Sequence, residues 1–129
     1  MLRLAALLLP LLVLSTASSL PQELSIEFLS VKLNTTATMF FPAVANYRRV
    51  VTNSKTSLSE EHIYRVCNGK NKAKCGYWEN VKTKKKVASG PTNYNKKKKA
   101  LLVKKFRLSD EGQYMTGNKK QYYQTFAFN

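Results

Sequence analysis

Few residues in this chain are of types that do chemistry. Among 129 residues there are one histidine, two cysteines and 7 carboxylates, against 22 lysines and arginines. A single histidine, His62, excludes an acid–base pair of two imidazoles. That removes the basic ribonuclease reading which a net charge of +15 invites. Glu23, Glu27, Glu60, Glu61 and Glu79 show no spacing that suggests a glycosidase pair. Ser109 beside Asp110 would need His62 for a triad, but no G-x-S-x-G elbow or oxyanion signal accompanies them. His62 is therefore read as a solvent-facing residue. Glycine-rich phosphate loops are absent, and Cys67, Cys75 and His62 do not complete a zinc site. The expectation is a non-enzyme with no cofactor and no metal.

The start of the chain sets the compartment. Arg3 precedes an apolar run over 4–14, interrupted by Pro10 and followed by Ser15, Thr16, Ala17, Ser18 and Ser19. This is the charged, apolar and small-residue order of a secretory signal, and the run is too short for a membrane anchor. Residues 1–19 are assigned to the signal, with cleavage after Ala17 or Ser19, and 20–129 to a single secreted, extracellular domain. Loss of Arg3 leaves 21 basic side chains against 7 acidic ones, a net +14. Export makes Asn34-Thr35-Thr36 a glycosylation acceptor. It also makes a Cys67–Cys75 disulfide the default pairing, since oxidising compartments favour it and only one intramolecular connectivity exists.

What must hold these residues is β-structure. Hydrophobic residues make up 43% of the chain, too many for a disordered one. Alternating or β-rich segments occur at 24–29, 36–41, 47–51, 62–67, 75–79, 92–94, 100–106, 113–116 and 121–128, separated by turn residues. Eight or nine short strands at roughly ten-residue spacing predict an all-β, two-sheet sandwich. The only helical hint, 57–61, is at most a turn.

The segment from Ala100 to Tyr114 resembles the E–F corner of immunoglobulin-like domains: an apolar strand, a short turn, then Asp110-x-Gly112-x-Tyr114. In that corner Gly112 permits a turn that a Cβ would crowd, Asp110 accepts from turn amides, and Tyr114 buries its ring while its hydroxyl bonds back to the backbone. The resemblance implies a variable-type-like immunoglobulin sandwich. Residues 36–41 take the place of strand B, Tyr47 that of the core tryptophan of strand C, 62–67 that of strand C′ and 121–128 that of strand G. The chain departs from the family where the inter-sheet disulfide belongs: Thr116 stands at the strand-F cysteine, and Met39, Phe40 and Phe41 include none. Phe40 or Phe41 must then fill that space. The Cys67, Cys75-Gly-x-Trp78 and Ser109-Asp110 pattern is similar to small secreted immunoglobulin-like proteins of nematodes. The family implies a binding module.

The lysines are the remaining signal. Between His62 and Arg107 lie 15 basic residues and one acid, Glu79. Candidate polyanion-binding residues are Lys82, Lys84, Lys85, Lys86, Lys96, Lys97, Lys98, Lys99, Lys104 and Lys105. The Gly90-Pro91 break suggests that 84–86 and 96–99 return to one side of the domain. Lysine in place of arginine favours diffuse contacts with acidic glycans or anionic lipid surfaces. Sparse aromatic neighbours, as in Tyr94-Asn95-Lys96, argue against nucleic acid. Two functions stay open: recognition of an extracellular protein, and polyanion binding by a cationic effector.

Overall fold

A computed structural model describes residues 23–129; the secretory signal assigned to 1–19 lies outside the described residues. Nine strands form: β1 (Ser25–Lys32), β2 (Ala37–Phe40), β3 (Asn46–Thr52), β4 (Ser59–Arg65), β5 (Trp78–Asn80), β6 (Thr92–Asn95), β7 (Ala100–Val103), β8 (Gly112–Met115) and β9 (Gln121–Phe128). They build two packed sheets, one of order β1-β9-β8-β3-β4-β5 and one of order β2-β7-β6. Every pairing is antiparallel except β1 with β9, which run parallel from Ser25↔Gln121 to Lys32↔Phe128. The all-β sandwich expected from strand spacing is what the chain adopts.

Alternation explains the larger sheet. In β3, Tyr47, Arg49 and Val51 are buried while their neighbours are not. β7 differs, since all four of its residues are buried. It is the central strand of the small sheet, which accounts for its unbroken apolar run. That strand ends at Val103, short of the expected 106. There the Lys104 amide bonds to the Pro91 carbonyl and the Phe106 amide to the Thr35 carbonyl. A second difference is β4, which begins at Ser59 and pairs with all of β3, so the stretch expected to turn is partly strand.

Between the sheets Met39, Phe41, Tyr47, Tyr64, Trp78, Leu101, Val103, Phe106 and Tyr114 form the core. Phe41 occupies the inter-sheet space, whereas Phe40 is 62% exposed on the opposite side of β2. Tyr47 stacks on Tyr94 at 5.4 Å and donates its hydroxyl to the Pro42 carbonyl. Its burial pushes the phenol up to about 12. Trp78 packs edge-on to Tyr114 and donates to Thr92.

Cys67 and Cys75 are bonded, with Cα atoms 5.0 Å apart. They lie just beyond the paired ends of β4 and β5 and close the 68–74 loop. Inside it Asn68 and Asn71 hold each other: each carboxamide oxygen accepts the other's backbone amide. Asn71 also donates to the Val66 carbonyl. Because the closed ring is short, replacing both cysteines with serine should cost about 2–3 kcal/mol in urea denaturation and leave a folded protein. A loss well beyond that range would show that the bond holds more than the loop.

Candidate functional site

Two places in the fold collect polar chemistry: a buried network at the corner before β8, and the lysine-rich connections. The corner is built on Asp110, at the end of the short 3-10 turn Leu108–Asp110. Its carboxylate is fully buried and accepts from the Gly90 amide at 3.1 Å, the Arg107 amide at 3.0 Å and the Ser89 hydroxyl at 2.6 Å. The Tyr114 hydroxyl donates to the Asp110 carbonyl, four residues back. Gly112 serves a close approach more than a turn: it opens β8, and a Cβ there would sit 2.2 Å from the Val50 carbonyl oxygen. Gly90 is constrained in the same way, with a Cβ falling 1.9 Å from the Lys104 oxygen.

The counter-charge is Arg49, on the inward side of β3 and fully buried. Its Nη1 lies 2.8 Å from Asp110 Oδ1 and 3.1 Å from the Ser89 and Tyr114 oxygens. Its Nε donates to His62 Nδ1 at 2.9 Å, and its guanidinium lies 4.4 Å from the Trp78 ring centre. An arginine Nε only donates, so His62 Nδ1 carries no proton. The other ring nitrogen, Nε2, donates to Glu60 Oε1 at 3.1 Å. His62 is thus buried, contrary to the expectation of a solvent-facing residue, because β4 turns it inward opposite Arg49.

Burial and the Arg49 charge hold His62 below its ordinary value of 6.5, against the opposing pull of Glu60. Glu60 is in turn held below 4.5, first by the Asn53 amide and then by His62. Arg49 was not legible as a site residue by type. Its signal was register: with Tyr47 and Val51 inward, position 49 must point inward too.

The lysines do not form the single patch expected of them. Residues 81–87 fold back on β5 as a local hairpin, with Asn80 N bonded to the Lys85 carbonyl and Val87 N to the Trp78 carbonyl. The tip, with Lys82, Lys84 and Lys85, reaches the start of β4, where Val81 N meets the Glu61 carbonyl. β6 then carries the chain to the other end of the strands before Lys96, Lys97, Lys98 and Lys99 turn it into β7. Lys104 and Lys105 follow back at the first end, beside Pro91. So 82–85, Lys104 and Lys105 share one end, and 96–99 occupy the other, with Lys86 between, over the Tyr77 ring. Asn34 lies exposed in the β1–β2 turn, at the first end.

The outer face of the large sheet has a different character. Phe28 and Phe126 stack there at 6.2 Å with Phe128 beside them, and all three are exposed. On the outward positions of β9, β8, β3 and β4 the charged residues are Arg48, Glu61 and Arg65. Arg48 pairs with Glu61, and Arg65 with Glu79 of β5. Comparisons with protein-family models, curated proteins and solved structures find no match to this chain.

Three outcomes follow from the corner. Asp110→Ala, which strands the Arg49 charge, should destabilise by about 3–5 kcal/mol in urea titration, and Arg49→Met with Asp110→Leu by less. Tyr114→Phe should cost about 1–3 kcal/mol through its two lost hydrogen bonds. Because the folded His62 binds its proton more weakly than the unfolded one, the unfolded chain takes up more protons below 6.5. Stability should therefore fall as pH drops through the range beneath 6.5, with a second loss below 4.5 as Glu60 protonates. His62→Asn should flatten the first slope and reduce the second without removing it, since the Asn53 amide still holds Glu60, read from urea midpoints across pH.

Proposed function

We propose that the chain is a secreted, non-catalytic binding module of the immunoglobulin variable-like type, without the inter-sheet disulfide, that recognises an extracellular protein. Strand order supports the family reading: a front sheet extended by two strands beyond the β9-β8-β3 core, over a back sheet centred on β7, is similar to the nine-strand variable layout, with the first strand on the front sheet. The Tyr114 hydroxyl bonded four residues back supports it as well. The disulfide and the exposed Asn34 acceptor fit an extracellular setting, and no described helix is long and apolar enough to cross a membrane. A non-catalytic role is favoured because both nitrogens of His62 are engaged inside the core.

The observation that carries protein recognition is the outer face of the large sheet. Exposed phenylalanines form an apolar surface there; the outward charges of β3 and β4 are already paired, and Lys32, exposed beside Phe128, stands at its rim where it can keep its water. Screening the labelled domain against a panel of extracellular domains should yield a partner whose binding survives a rise in salt. Phe28→Ser with Phe126→Ser should abolish that binding and shift stability by no more than about 0.5 kcal/mol. Binding that survives the double substitution would move the interface off this face.

A further inference from the structure

We propose that the end of the sandwich formed by the β2–β3, β4–β5 and β6–β7 connections is a second binding site, for a linear sulfated glycan. The site is distinct from the aromatic face. A cleft of about 490 Å³ opens there, with Val44, Val66 and Tyr94 as apolar walls and Asn68, Asn71 and Lys96 among its polar ones. The Tyr94 ring is fixed by its stack on Tyr47 and by donation to the Phe41 carbonyl. The Asn68–Asn71 loop is held by its own hydrogen bonds and by the disulfide. The walls of the cleft are therefore preorganised.

Charge surrounds it. Lys70, Lys72 and Lys74 project from the disulfide loop and Lys96 to Lys99 from the β6–β7 turn, all exposed. The sequence joins these two groups nowhere; the sandwich brings them together because the 68–74 loop and the 96–99 turn leave their sheets at the same end. Seven lysines around a cleft with a ring and two carboxamides match the chemistry of a sulfated saccharide. The ring and valines meet an apolar sugar face, the carboxamides meet hydroxyls, and the ammonium groups meet sulfates.

A membrane surface fits less well. Phe28, Phe126 and Phe128 lie on the outer face of the large sheet, and Phe40, opposite Ala100 at the end of β2, is the single exposed phenylalanine near these lysines, so no cluster of rings stands ready to insert with them. The exposed Asn34 acceptor lies at the opposite end, where an attached glycan leaves the cleft open.

The test is binding of a size-defined heparin octasaccharide by calorimetry, backed by elution salt on immobilised heparin. Replacing Lys96 to Lys99 with glutamine should weaken binding about tenfold or more, and so should replacing Lys70, Lys72 and Lys74. Replacing Lys82, Lys84 and Lys85, at the other end, should change it by less than about twofold. Val44→Asp should weaken binding clearly more than Leu58→Asp, which adds the same charge at the far end. Chemically desulfated heparin should fail to compete, and Phe28→Ser with Phe126→Ser should bind the octasaccharide as the parent does. Equal losses from both ends would replace the site with a diffuse positive field. Equal effects of Val44→Asp and Leu58→Asp would remove the cleft from it. Stronger capture by phosphatidylserine vesicles than by the octasaccharide would overturn the glycan assignment.

Discussion

A charged pair sealed between two sheets constrains everything near it. Arg49 and Asp110 have no access to water, so every donor and acceptor they carry must find a partner inside the protein. That requirement places Ser89 and Gly90 against one carboxylate, His62 behind the guanidinium and Tyr114 over both. It also ties together pieces of chain far apart in sequence: β3, β4, the 89–91 crossing and the corner before β8. Trp78 closes the site from the side of β5, with its ring against the guanidinium.

The pair also clarifies how the sandwich does without a covalent link between its sheets. Met39, Phe41, Tyr47 and Trp78 fill the interior with rings and a flexible thioether, and the ion pair ties β3 to the two connections that pass between the sheets, through Ser89 and Gly90 before β6 and through Asp110 before β8. The disulfide meanwhile sits outside the core, on a loop, where it orders local backbone. Order at the corner and order in the 68–74 loop rest on different chemistry.

Much of this was legible in the sequence because β-structure writes itself in short-range patterns. Alternation gave the strands, with β9 matching residue for residue, and Asp110-x-Gly112-x-Tyr114 marked the corner. Strand ends were less legible, since residues such as Lys104 leave a sheet through contacts with distant carbonyls. His62 looked like a surface residue because side-chain type suggests water, and Arg49 carried no reading of its own; the burial of His62 depends on Arg49, 13 positions away, and that of Arg49 on Asp110, 61 positions away. The lysines failed for a related reason. The Gly90-Pro91 break suggested that 84–86 and 96–99 return to one side, but β6 runs between them and separates them by its length.

The parallel pairing of β1 with β9 has a mechanical consequence. Both strands run in the same direction over eight residues, with Ser25 beside Gln121 and Lys32 beside Phe128. Tension between the start of β1 and the end of β9 drags the two strands past each other along their axes. The rungs between them then share the load and must yield together, where a hairpin pulled open from one end would unzip one rung at a time. A domain stretched between an anchored neighbour and a bound partner would resist in this direction first, and the seam joining its first and last strands would set the force at which it gives way.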